Sequence, residues 1–252
     1  MKISAVIAGD PRFNEDFDKQ LNALKDYEVD WYGCFWKVYS DTPGYPRNHY
    51  LPPAWKATTN DEARAFIEPK LPANHKLVHV EVIDRKEFPS ELLSKPWQNV
   101  HTTLEHQLRQ YWILNRAEKS RQAIGNPCDL LIRTRNDVDV YPSVDLQSIY
   151  NQSLTNPNHI EFAFAPRDAG AGFVDLFVAG APDAMKIHLT QIEQYEEYNI
   201  RRGVWMSPQL IVMGILSGNG ITYSVIPNTS VTLNDNGWWI PGYVPPFGQW
   251  NE

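Results

Sequence analysis

Short apolar runs of β-compatible residues alternate along this chain with segments whose apolar side chains return at helical spacing. Residues 3–8 read as a strand that stops at Gly9-Asp10-Pro11, a turn signal. Phe17, Leu21 and Leu24 then recur on one helical face, and residues 29–36, rich in aromatic and β-branched types, predict a second strand. Residues 40–53 interrupt the alternation. Pro43, Pro46, Pro52 and Pro53, with Gly44 among them, exclude a regular helix or a central strand and predict a long loop. A short helix near 61–68 and a strand at 77–83 come next.

The clearest predicted element is a helix over 102–125. Thr102 and Glu105 have capping-box spacing, Leu104, Leu108, Tyr111, Trp112 and Asn115 share a face, and Gly125-Asn126-Pro127 supplies the stop. The strand predicted at 130–132 runs straight into Arg133, Arg135, Asp137 and Asp139. Weaker strands are expected at 160–165 and 174–179. A helix is predicted over 182–198, with Pro182 in its first turn and Met185, Leu189, Ile192 and Tyr195 inward. A further helix runs from Ser207 through Leu216 to Gly218-Asn219-Gly220, and the last strand is expected at 221–226. No internal repeat is visible. Such alternation predicts an α/β fold, a mostly parallel central sheet with crossover helices. The chain is read as one domain over 1–252, with 40–56 a Pro-rich loop and 237–252 an aromatic C-terminal tail.

Composition narrows the classes of function. Lys and Arg number 23 against 30 Asp and Glu, so the net charge of −7 and the absence of a long basic run argue against a nucleic-acid partner or an anionic membrane. No apolar stretch approaches the roughly 20 residues of a transmembrane segment. The apolar run near the start is shorter than a signal-peptide core, so the sequons at Asn151 and Asn228 carry no weight and a reducing, cytoplasmic setting is expected. Cys34 and Cys128 are too few and too far apart to read as a disulfide framework or a zinc site.

The candidate chemistry centres on Asp137-Val138-Asp139. In an extended segment, side chains at i and i+2 point the same way, so both carboxylates can address one hard divalent cation, Mg²⁺ or Mn²⁺. Arg133 and Arg135 share that parity. One strand face would then offer two guanidinium groups and two carboxylates at the carboxyl end of a strand, where α/β sheets bind ligands. A metal-diphosphate would satisfy all four charges. The plain alternative is a turn in which the carboxylates pair with neighbouring arginines. Asp16-Phe17-Asp18 repeats the spacing inside a helical pattern, where it carries no such meaning. Gly9 and Arg12 likewise admit two readings, a tight turn with a solvated arginine or a loop that meets a nucleotide. The tail over 238–250 is either a cover for the sheet, or an aromatic platform for a sugar or a mobile lid. Gly170-Ala171-Gly172 lacks the rest of a dinucleotide fingerprint, His101 and His106 do not share a helical face, and His188 reads as structural.

In the order of its motifs the chain resembles small cytoplasmic glycosyltransferases of the GT-A-like group found in bacteria and viruses. The resemblance rests on Gly9-Asp10-Pro11-Arg12, Gln110-Tyr111-Trp112 with Ala117, Arg133-Thr134-Arg135-Asn136-Asp137, Asp175-Leu176-Phe177-Val178-Ala179-Gly180 and Pro208-Gln209, spread over about residues 1–226. It implies a GT-A-like (Rossmann-like) sheet with helices on both faces. It also implies a nucleotide-sugar donor and a glycan or other small acceptor, with Mn²⁺ or Mg²⁺ as cofactor. Asp137 and Asp139 would form the metal-binding DxD motif. Gly9, Arg12, Gln110, Arg133 and Arg135 would lie near the nucleotide, and Asp175 would be the catalytic base. Gln209 stands where the group carries an acidic residue, and the Pro-rich loop and the tail have no counterpart there. Two other readings compete with a transferase: a non-catalytic carbohydrate-binding or structural protein on a degenerate transferase scaffold, and a nucleotidyltransferase, which also uses paired carboxylates.

Overall fold

A computed structural model describes residues 1–11, 13, 15–37, 55, 57–100, 104–135, 138–140, 144–163, 177–206, 208–226 and 231–233. Its strands are β1 (Lys2–Gly9), β2 (Glu28–Trp36), β3 (His75–Ile83), β4 (Leu130–Thr134), β5 (Val138–Val140), β6 (His159–Ala163), β7 (Val178–Gly180), β8 (Thr222–Ile226) and β9 (Val231–Leu233). The α-helices are α1 (Glu15–Leu24), α2 (Asn60–Ile67), α3 (Leu104–Ile124), α4 (Leu146–Thr155), α5 (Pro182–Leu189) and α6 (Pro208–Gly218). Seven strands form one sheet in the order β3-β2-β1-β4-β7-β6-β8, and β5 and β9 form a separate two-stranded ribbon. Within the sheet only β7 runs against the others, antiparallel to both β4 and β6. The expected α/β class with a mostly parallel central sheet is therefore the observed one.

Side-chain alternation along β1 explains the layering. Ile3, Ala5 and Ile7 point to a face covered by α1, α2 and α4, where they meet Phe17, Leu21, Ala63, Ile67 and Ile149. Val6 and Ala8 point to the other face, covered by α3, α5 and α6. Both faces of the central strands are buried, which is why β1 and β2 read as nearly continuous apolar runs. Helices thus lie on both faces, as expected. The buried surface of α3 is broader than the single stripe read from the sequence. It includes Ile113, Leu114, Ala117 and the ion-paired Glu118 and Arg121, while Leu104 and Trp112 are only partly covered. The helix ends as predicted: Gly125 has φ +75° and its N–H donates to the Arg121 carbonyl at 3.0 Å. Thr102 of the expected capping box lies outside the described residues.

Two expectations are corrected. The helix predicted over 182–198 is broken. It runs as α5, then a 3₁₀ turn (Gln191–Gln194), then a π-helical turn (Glu196–Arg201). The Thr190 hydroxyl donates to the Lys186 carbonyl at 2.9 Å as the helix ends there. The wider turn faces Asn199 inward, where its side chain accepts from the Gln98 N–H and donates to the carbonyls of Gln98 and Val204. Second, the strand at 222–226 is not the last, because β9 follows it. Trp55, inside the expected loop over 40–56, is a buried core residue stacked on Phe13 at 5.1 Å and edge-on to Phe66. The rest of that loop, residues 40–54 and 56, and the tail over 237–252 lie outside the described residues.

Candidate functional site

The sheet order places a topological switch between β1 and β4. From β1 the chain moves outward through β2 to β3, then returns by α3 to lay β4 against the opposite edge of β1. Crossovers leave in opposite directions there, and the crevice beyond the carboxyl ends of such strands is the usual ligand position. Ile7 pairs with Thr134, so Gly9 and Arg135 each leave the sheet at the same edge.

On the β1 side, Gly9 has φ +129°, a conformation L side chains rarely adopt. A Cβ there would stand 3.2 Å from the Oε1 of Gln110. Gln110 in turn donates from Nε2 to the Ala8 carbonyl at 3.4 Å. The next residue, Asp10, accepts from Arg85 Nη2 at 2.7 Å. Arg109 donates to the Arg85 carbonyl at 3.0 Å and lies 4.6 Å over the Phe88 ring. Arg85 stands 5.7 Å over Trp36, which stacks on Trp112 at 5.6 Å. Guanidinium and aromatic groups thus buttress the loop after β1 from the α3 face.

On the β4 side, Arg133 is 2% exposed, with its guanidinium 5.9 Å from the Tyr111 ring centroid. Gln20, buried on α1, secures the point where β4 ends. Its Nε2 donates to the Arg135 carbonyl at 2.6 Å and its Oε1 accepts from the Thr134 hydroxyl at 2.9 Å. With its carbonyl bonded to a helix side chain, Arg135 leaves the ladder. The chain resumes as β5, which lies beside α1 and pairs antiparallel with β9. This corrects the expectation of a single strand face running from Arg133 to Asp139, since Asp139 belongs to the β5–β9 ribbon, opposite Thr232.

Of the residues singled out in the sequence, Gly9, Gln110, Arg133 and Arg135 gather around the carboxyl ends of β1 and β4. Arg12, Asp137 and Asp175 lie outside the described residues, as do the side chains of Asp139 and Gln209. Gln20, Arg85 and Arg109 escaped the sequence reading, and Asp10 entered it only as part of the turn after the first strand. One signal was available for Gln20: a polar residue in the inward stripe of α1 between Phe17 and Leu24 needs a buried partner. The Asp10–Arg85 pair spans 75 positions and leaves no local trace.

No protein-family model matches the sequence, and no curated protein matches it. Among solved structures, the chain is similar to the glycosyltransferase GlyE of Streptococcus pneumoniae, with 15% identity and a TM-score of 0.43 over 90% of this chain and 45% of that one. It thus spans less than half the length of GlyE. It is also similar to mouse xyloside xylosyltransferase 1 in its apo form, with 10% identity and a TM-score of 0.42 over 89% of this chain and 85% of that one. These values are too low to carry the role of any residue across. Among the described residues no helix is long and apolar enough to cross a membrane.

Proposed function

We propose that the chain is a metal-dependent glycosyltransferase, cytoplasmic in setting, that moves a sugar from a nucleotide-diphosphate sugar to a glycan or other small acceptor. The observation that supports this reading is the switch point itself. A glycine-turned loop after β1 and Arg135, just past the end of β4, leave the sheet at the same edge, and Asp137-Val138-Asp139 follows within four residues of Arg135.

In this reading the absence of a side chain at Gly9 lets the backbone approach the nucleotide, while Arg12 and Arg135 face its phosphates. Arg133, buried against Tyr111, contributes its charge from beneath the same edge. Asp137 and Asp139 would hold Mn²⁺ or Mg²⁺, whose hard character suits carboxylate oxygens. A cation so held supplies charge neutralisation for the departing diphosphate. The bond from the anomeric carbon to that diphosphate breaks, a bond to the acceptor oxygen forms, and Asp175 takes the acceptor's hydroxyl proton.

Thermal unfolding with UDP- and GDP-sugars, with and without Mn²⁺, tests the proposal. Metal-dependent stabilisation that disappears in Asp137→Ala is the expected result. No response to any nucleotide sugar would overturn it. Release of pyrophosphate in place of a nucleoside diphosphate would assign the same carboxylates to nucleotidyl transfer.

A further inference from the structure

Cys34 on β2 and Glu81 on β3 are register partners, and His79 lies two residues before Glu81 on the same face of β3. That face is the one covered by α3. The Cys34 Sγ is 3.6 Å from Glu81 Oε2, the His79 Nε2 is 4.0 Å from the same oxygen, and all three donor atoms lie within 4.8 Å of one another. Among the described residues this is the one group of three His, Cys, Asp or Glu side chains that converges so closely. The His79 Nε2 atom is also shielded from water, and its approach to Glu81 at 4.0 Å is too long for a hydrogen bond of ordinary length. A buried polar atom left that way destabilises the fold unless something else fills the role.

We propose that Cys34, His79 and Glu81 form a transition-metal site. A thiolate, an imidazole and a carboxylate together select zinc over magnesium or calcium, and three protein ligands leave one tetrahedral position for water. Tetrahedral zinc bonds imply ligand separations of about 3.4–3.6 Å. The sulfur–oxygen pair already has that spacing, and the His79 ring must close by roughly half an ångström on the carboxylate oxygen and by up to about 1.3 Å on the sulfur. Arg116 stands behind the carboxylate, with Nε 3.0 Å from Oε2 and Nη2 2.5 Å from Oε1. Each carboxylate oxygen has two lone pairs, so Oε2 can serve both the guanidinium and a metal. Arg116 is then an outer partner that orients Glu81, and its charge moderates the affinity. On binding, the Cys34 S–H, which now donates to Glu81, gives its proton to solvent as the S–metal bond forms. Binding therefore strengthens as pH rises. Cysteine spacing cannot reveal this site, because it uses one cysteine only.

The site is independent of the carboxylates proposed to bind a nucleotide-linked cation, and its test uses no nucleotide. Chelator-treated full-length protein is titrated with Co²⁺ and followed by absorption spectroscopy. The expected result is a sulfur-to-cobalt charge-transfer band in the near ultraviolet that Zn²⁺ displaces. The band should vanish in Cys34→Ser, persist in Cys128→Ser, and need about tenfold or more Co²⁺ in His79→Gln. Circular dichroism of each variant separates loss of metal from loss of fold, and His79, being partly exposed, is the safer substitution. Absence of the band in the wild type, or its survival unchanged in Cys34→Ser or His79→Gln, would overturn the proposal.

Discussion

The indole N–H of Trp31 donates to Nδ1 of His75 at 3.2 Å, and the opposite ring nitrogen of His75 meets the Leu24 carbonyl at 3.1 Å. Because Trp31 can only donate, Nδ1 must be the unprotonated nitrogen and Nε2 must carry the hydrogen. The neutral tautomer thus ties β3 to β2 and to the end of α1. A proton added at Nδ1 would confront the indole N–H directly.

Stability should therefore fall with acid at this position. Burial holds the His75 pKa below its ordinary value of 6.5, and the Leu24 carbonyl offsets this only in part. A base depressed in the folded state contributes stability that is complete above its unfolded pKa and is lost as pH drops below it towards the folded value. Urea unfolding at pH 7.5 and 5.5 should show a loss in the wild type that shrinks in His75→Gln. Identical losses in both proteins would refute this account.

These same residues show why some of the fold was legible and some was not. β1, β2, β3 and α3 were readable because each has a periodic pattern or an apolar run long enough to fix its type, and their alternation gave the sheet. The reversed direction of β7 was not readable, since three buried small residues look alike in either direction. Nor was the break after Leu189, where Asn199 is drawn inward by Gln98, 101 positions away. In the candidate site, Gly9 announced its left-handed turn. The departure of Arg135 from the ladder depends on Gln20, a contact 115 positions apart.

Gly9 joins two effects that a pair of substitutions can separate. Gly9→Ala should cost about 1–3 kcal/mol, part from φ +129° and part from the 3.2 Å approach of its Cβ to Gln110. Gln110→Ala alone should cost little, because its hydrogen bond to Ala8 is long and only partly buried. In the double variant the steric part disappears while the backbone part stays. A double-mutant cycle with a coupling energy of zero would show that Gln110 does not set the requirement for glycine.

The Glu81 carboxyl is held down to about 2 by His79 and by the Arg116 guanidinium, against the desolvation that raises it. A depressed carboxyl contributes stability above its unfolded pKa of 4.5 and loses it as pH falls towards about 2. Arg116→Met should weaken the fold at pH 7 by roughly 1–2 kcal/mol, screening having reduced the value of a partly exposed pair. The difference from wild type should narrow steadily in chemical denaturation below pH 4. A gap independent of pH would mean that packing of Arg116 on Trp112, at 5.5 Å, accounts for the loss.

Gln20 should influence ligand binding without touching ligand. It clasps Thr134 and the Arg135 carbonyl at the exit from β4, so it sets where Arg135 leaves the sheet. Gln20→Met removes both bonds and leaves the Thr134 hydroxyl its longer 3.4 Å bond to the Arg135 carbonyl, costing about 1–3 kcal/mol. Thr134→Val removes only the hydroxyl bond and leaves the Arg135 carbonyl held. If Gln20 positions the proposed phosphate groove, stabilisation by Mn²⁺ with a nucleotide sugar should drop sharply in Gln20→Met and stay close to wild type in Thr134→Val. Calorimetric titration of both variants separates this from a loss of stability alone, which would leave affinity unchanged in each folded protein. Equal affinities across the series would remove Gln20 from the site and leave it as a core contact between α1 and β4.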